Sequence, residues 1–465
     1  MKLKIDYNNM MKDSIGEKGI AGDFFAKNAD KIAAAREKVN AARGKGWQEW
    51  AKTPYIDKAE LDDIIAYGDS VRAVADSYVV LGIGGSALGA IAVNTALLHL
   101  HHNELAKDKR KAPKIYVEDN VDPERMAALF DVIDLKTAYF NVITKSGETS
   151  ETLSQFLIIY DALIKAVGKE EAKKHIAVTT TIGKGTLYSL AIKEGFKIFG
   201  VGAGVGGRFS VLSPVGLVPF AVLGIDVKAL LKGAAAASDS ALEKDVNKNP
   251  ALAAAALMCE SMEKGCNINV MMPYADSLRY MSDFFCQLWA ESLGKAVDNS
   301  GKTVHVGQTP AKSLGVTDQH SQVQLYTEGP FDKVVTFLAV ENYRKKSVIS
   351  DLKDVDACDF LKGNTLNTLI SAEYEATRYA LMKAGRLNFT VILPEVNAET
   401  VGELLMYFMY QTAFAGAMLD IDTFNQPGVE EGKKATFAML GRKGYEAKLA
   451  EVKAAPHSAK YVSGN

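Results

Sequence analysis

The chain has only four cysteines in 465 residues, at positions 259, 266, 286 and 358. None forms a Cys-x-x-Cys pair, so a thiolate zinc site of that spacing is excluded. So sparse a set does not make a disulfide framework, and reduced thiols in a cytoplasmic protein are expected. Charge of one sign is also lacking. The formal net charge of -2 offers no basic field for nucleic acid and no polybasic face for a membrane. The opening residues, MKLKIDYNNMMKDS, hold no apolar core of signal-peptide length. No run reaches the roughly 20 apolar residues of a membrane span. There is no Gly-Lys-Ser/Thr, so a nucleotide P-loop has no support. What remains is an ordinary globular composition, 48% hydrophobic and 24% charged, long enough for two or three domains around a small-molecule site.

Helical spacing runs from Asp23 to Ala42 and from Lys58 to Ala66, punctuated by Gly44 and Gly46. From Ser77 a different rhythm begins. Short apolar runs at Tyr78–Leu81, Lys114–Val117, Tyr139–Ile143, His175–Val178 and Lys197–Phe199 alternate with stretches of helical length. That alternation predicts a parallel sheet covered on both faces. Gly233 to Asn249, rich in alanine and charge, reads as helix. A second set follows, with strands at Ile268–Met272, Val334–Leu338 and Phe389–Leu393 and helices at about 277–294, 365–384 and 401–418. The expected architecture is α/β. It has two αβα-sandwich domains with mainly parallel central sheets, at 71–232 and 233–425. A helical segment over 1–70 precedes them, and C-terminal helices over 426–465 follow. The tail after Pro456 is expected to be mobile.

Five stretches carry chemistry. Leu81-Gly-Ile-Gly-Gly-Ser-Ala-Leu-Gly89 follows a strand, and Gly85 and Ser86 bring backbone close to a ligand at the start of a helix. Gly82-x-Gly84-x-x-Ala87 also fits a dinucleotide fingerprint. The acidic residue that fingerprint wants roughly 20 positions on is displaced, since Glu118 and Asp119 lie considerably further along. Thr144-Lys-Ser-Gly-Glu-Thr-Ser-Glu-Thr152 speaks against a dinucleotide, because hydroxyls around one glycine at a helix start suit a compact phosphate. A helix-capping box at Ser146 and Thr149 is the plainer alternative. Gly206-Gly207-Arg208-Phe209-Ser210 can aim a guanidinium inward at an oxyanion. In Gln287-Leu-Trp-Ala-Glu-Ser-Leu-Gly-Lys295, Gln287 and Glu291 are four apart and share a helix face, while Trp289 belongs to the core. Val316-Thr-Asp-Gln-His320 places an imidazole that can move protons near neutral pH. The run His99-Leu-His101-His102 lacks acidic or cysteine ligands nearby and reads as an exposed helix end.

One of these, the stretch around Arg208, and the segment Gly416 to Lys433 closely resemble the two signatures of the glucose-6-phosphate isomerase family, in its shorter bacterial form. The second signature turns through Asn425-Gln426-Pro427-Gly428 into a helix carrying Lys433. The two Gly- and Ser/Thr-rich loops resemble the sugar isomerase (SIS) fold, and the likeness runs from about 77 to 433. It implies reversible conversion of glucose 6-phosphate to fructose 6-phosphate through a cis-enediol. A partly desolvated Glu291 would carry the proton between carbons 2 and 1. It further implies that Arg208 stabilises the enediolate and that His320 with Lys433 opens the ring. Gly85, Ser86, Gln287 and Gln426 would meet the sugar, and Thr144, Lys145, Ser146 and Thr149 the phosphate. Glu148 departs from the expected Thr and should point away from a phosphate. The resemblance implies no metal and no organic cofactor. It implies a homodimer in which His320 comes from the neighbouring subunit. Alternatives within this reading are an isomerase that also accepts mannose 6-phosphate and a non-catalytic SIS-type regulator. A dinucleotide oxidoreductase is more distant.

Overall fold

Strands form where apolar runs are too short for helices and too continuous for a solvated surface. The computed structural model describes residues 1–352 and 356–464. In chain order its strands are β1 (Lys4–Asp6), β2 (Ser77–Leu81), β3 (Lys114–Glu118), β4 (Ala138–Ile143), β5 (Ile176–Thr180), β6 (Lys197–Gly200), β7 (Ile268–Pro273), β8 (Lys295–Val297), β9 (Thr303–Val306), β10 (Thr309–Lys312), β11 (Lys333–Asn342) and β12 (Asn388–Glu395). The first sheet has the order β3-β2-β4-β5-β6, with every pairing parallel. Every residue of β2 and β5 is buried, as expected for strands covered on both faces. The chain passes from β2 to β3 on one side and then to β4 on the other. The β2/β4 boundary is therefore the topological switch point, where loops at the strand ends leave a crevice for ligands. The two Gly- and Ser/Thr-rich loops leave β2 and β4.

The second sheet has the order β1-β12-β11-β7-β10 and is parallel except at β1. The paired β8 and β9 stand apart as an antiparallel hairpin. The helix Ala398–Met418 is buried along nearly all of its 21 residues. It crosses the helix Val227–Ser240 with little side chain between them. A Cβ on Gly233 would collide with the Glu399 carbonyl, and one on Gly402 with the Leu230 carbonyl.

Several local expectations change. The stretch from Gly233 is helical only to Ser240. Asn247 N–H donates to Asp245 Oδ1, and Asn249 donates to the Ala241 and Glu243 carbonyls before capping the helix Pro250–Glu263. These local side-chain bonds compete with helix and win. The helix after Gly85 and Ser86 begins only at Leu88, because Gly84–Ser86 forms a 3-10 turn with Gly84 at φ +57°. The helix bearing Glu291 begins at Met281. His99 and His101 are exposed, but His102 is buried with its Nε2 at 2.9 Å from the Pro113 carbonyl. Among the described residues no helix is long and apolar enough to cross a membrane.

The chain divides into two compact units, Met1–Thr423 with both sheets and Phe424–Asn465. Within the second unit, Lys448 on the helix Glu446–Lys453 bonds Glu431 on the helix Glu430–Met439 at 2.5 Å. Phe437 packs edge-on against Tyr445. In the tail after Pro456, Ala459–Tyr461 forms a short 3-10 turn. Asn465 lies outside the described residues.

Candidate active site

The turn Gly207–Phe209 is pressed against the β2 loop. A Cβ on Gly85 would strike the Gly207 carbonyl, so only glycine allows this approach. Trp50 stacks on Phe209 at 5.0 Å and fixes the turn from behind. The Arg208 side chain is thereby driven inward and is 2% exposed. Its Nε donates to Ser292 Oγ at 2.6 Å and its Nη2 to the Thr423 carbonyl at 2.7 Å. Its Nη1 lies 3.3 Å from Glu291 Oε1. Burial pulls the Arg208 pKa down, while the charges of Glu291 and Asp422 push back.

Glu291 stands in the last turn of the helix Met281–Leu293, its side chain 25% exposed. Gln287, one turn back, donates from Nε2 to Glu291 Oε2 at 3.1 Å. One carboxylate oxygen thus meets an amide and the other a guanidinium. Gly84 closes the amide side, since a Cβ there would lie 3.0 Å from Gln287 Nε2. Trp289 is fully buried, as expected.

The β4 loop presents converging hydroxyls. Thr144 Oγ1 and Thr149 Oγ1 are 2.7 Å apart, and Ser146 Oγ lies 3.3 Å from each. The helix Ser150–Val167 has no side-chain cap, so the capping box is not formed. Ser146 Oγ accepts the Glu148 N–H at 3.2 Å. Glu148 is exposed. The Lys145 ammonium lies elsewhere, donating to the Ala203 carbonyl at 2.7 Å and sitting 4.4 Å from the Trp47 ring centre. Burial lowers its pKa.

The structure thus brings Gly84, Gly85, Arg208, Gln287 and Glu291 into one cluster, with Ser86 half-buried in the same turn. His320 is exposed at the end of the 3-10 turn Thr317–His320. Gln426 and Lys433 belong to the second unit, where Lys433 Nζ pairs with Glu430 Oε1 at 2.8 Å. Sequence reasoning missed Ser292, Thr423 and Lys295 as members of the cluster. Ser292 and Lys295 lie inside the motif that carries Glu291, and that adjacency was the available signal.

A doubly wound parallel sheet, a hydroxyl-lined loop at its switch point and a second mainly parallel sheet define an α/β protein with its candidate ligand loops at the strand ends. The phosphoglucose isomerase family model matches residues 65–455. A glucose-6-phosphate isomerase of Carboxydothermus hydrogenoformans is 51% identical, over 97% of each chain. One of Rubrobacter xylanophilus is 44% identical, over 96% of this chain and 99% of its own. A crystal structure of a hypothetical protein from Thermus thermophilus superposes with a TM-score of 0.85 at 34% identity, covering 94% of this chain and all of that one. The glucose-6-phosphate isomerase of Chlamydia trachomatis shares the fold, with a TM-score of 0.81 at 20% identity over 97% of this chain and 92% of its own. The chain belongs to the phosphoglucose isomerase family.

Proposed function

We propose that the protein interconverts glucose 6-phosphate and fructose 6-phosphate in the cytoplasm, with Glu291 as the base. The observation that carries this reading is the Glu291 carboxylate, fixed between Gln287 and Arg208 in a member of this family. His320 and Lys433 open the sugar ring. Glu291 then takes the proton from carbon 2, and the electron pair moves toward the carbon 1 carbonyl to give an enediolate. Arg208 meets that charge as it forms. The hydroxyl proton on the carbon 2 oxygen moves to the carbon 1 oxygen, the carbon-bound proton returns at carbon 1, and the carbon 2 oxygen becomes the ketone. One carboxylate serves both transfers because the two carbons are adjacent.

The hydroxyls of Thr144, Ser146 and Thr149, with the first N–H groups of the helix Ser150–Val167, hold the phosphate. Lys145 belongs to the same loop. Gly85, Ser86 and Gln426 contact the sugar. The roles of Gln426, Lys433 and His320 rest on the signatures in which they occur. The exposure of His320 is compatible with its serving the site of a second subunit in a homodimer. The division at 70, 232 and 425 assigns the sugar and phosphate loops to one domain, Glu291 and His320 to the next, and Lys433 to the C-terminal segment. The direct test is a coupled assay of fructose 6-phosphate conversion in the presence of a chelator. Formation of glucose 6-phosphate is expected, and its absence would contradict the reading.

A further inference from the structure

Lys295 closes the motif that carries Glu291, yet it takes no part in the proton transfer. It is 8% exposed. Its ammonium donates to the Glu291 carbonyl at 2.8 Å and to the Ser292 carbonyl at 3.0 Å. These are carbonyls that the end of the helix Met281–Leu293 leaves without an intrahelical partner. A cation there is favoured by the helix dipole. Water or an exposed side chain could satisfy the same oxygens at less cost, since a buried ammonium gives up its hydration. Lys295 is also close enough to Arg208 to be repelled by it.

Ser292 explains the placement. Arg208 binds the side chains of Glu291 and Ser292, through Nη1 and Nε. Lys295 binds the main chain of the same two residues. We propose that Lys295 is a positioning residue for the isomerisation, locking the Glu291–Ser292 backbone so that the base and the Arg208 guanidinium keep one fixed geometry. This rests on the reading of Glu291 as the base.

The lock responds to pH. Burial first, and then Arg208, lower the Lys295 pKa to about 8, against the pull of Asp422 and Glu291. The charged groups facing it are therefore Arg208 from the turn Gly207–Phe209, Glu291 from its own helix end, and Asp422 from the segment after the helix Ala398–Met418. Below about pH 8 the ammonium is charged and the grip is complete. Above it the charge is lost and the grip weakens.

The test is the pH profile of kcat for the full chain acting on fructose 6-phosphate, in Lys295→Met and Lys295→Arg. Misplacing a catalytic group by about 1 Å costs up to about 100-fold. Lys295→Met is expected to lower kcat about 10-fold or more, with KM changed less than about threefold. The wild-type profile should bend downward near pH 8, and Lys295→Met should lack that bend. Lys295→Arg stays charged throughout, so it should keep part of kcat and also lack the bend. A Lys295→Met variant with wild-type kcat, or either variant with the wild-type bend, overturns the proposal. If Lys295→Met does not fold by circular dichroism, the bend in Lys295→Arg decides alone. Glu291→Gln is measured alongside. Normal turnover in that variant would overturn the base assignment and this proposal together. An inactive Glu291→Gln beside an unaffected Lys295→Met overturns only the role of Lys295.

Discussion

Arg208 Nη1 lies 3.3 Å from Glu291 Oε1, joining a nearly water-free guanidinium to a carboxylate that is 25% exposed. The same guanidinium holds Ser292 Oγ and the Thr423 carbonyl. Arg208→Lys keeps the charge but cannot make these directional bonds at once. Its expected effect is a larger fall in kcat than rise in KM, because the enediolate charge exists only after proton abstraction. Steady-state kinetics over a range of fructose 6-phosphate concentrations measures both. A variant that raises KM alone would make Arg208 a substrate-binding residue and no more.

In the β4 loop, the hydroxyls of Ser146 and Thr149 point at one another and do not cap the following helix. Replacing both by Ala should therefore disturb folding little and phosphate binding much. A hydrogen bond to a charged group is worth about 1.5–3 kcal/mol, so the double variant should bind a phosphorylated inhibitor at least about 100-fold more weakly. Calorimetric titration reads this directly. Unchanged affinity would leave the hydroxyl cluster without a ligand.

His320 can be tested by mixing subunits. In a symmetric dimer with shared sites, a hybrid of Glu291→Gln and His320→Ala subunits has one doubly altered site and one intact site. Random exchange of the two inactive variants should restore about a quarter of wild-type activity by that symmetry count. Activity that stays at the level of the separate variants would put His320 in its own subunit's site or outside the site altogether.

Where the helix Ala398–Met418 crosses Val227–Ser240, two effects oppose each other at Gly402. Alanine is the better helix former by about 0.8–1 kcal/mol. A Cβ there would run into the Leu230 carbonyl, which is backbone and cannot swing aside. Overpacking costs about 1–3 kcal/mol, so Gly402→Ala is expected to be net destabilising. Urea unfolding at neutral pH gives the sign, and a more stable variant would mean that the two helices can move apart.

The main strands were legible because a strand buried on both faces writes itself as an apolar run, as Tyr78–Leu81 does within the fully buried β2. β1 and β10 were not. They are three and four residues long, sit at the sheet edges and carry mixed burial. β10 also contains Pro310, a residue confined to edges and strand starts. The site shows the same division. The motifs around Arg208 and Glu291 stood out, and Gln287 followed from helical spacing. Partners reached only through the tertiary fold did not, such as Ser292, 84 positions from Arg208, and Thr423, 215 positions from it. The Lys145 ammonium likewise lies on Ala203 and Trp47, a placement no local pattern encodes.

Solvent exchange separates proton transfer by Glu291 from transfer by any other group. Wild-type protein and Glu291→Gln are each incubated with fructose 6-phosphate in heavy water and followed by NMR. The wild type is expected to form glucose 6-phosphate with deuterium appearing at carbon 2. Glu291→Gln, still folded, should be slower in both turnover and exchange by at least about 100-fold, the low end for a positioned base. Turnover and exchange within a few-fold of wild type in Glu291→Gln would contradict the assignment of Glu291 as the base.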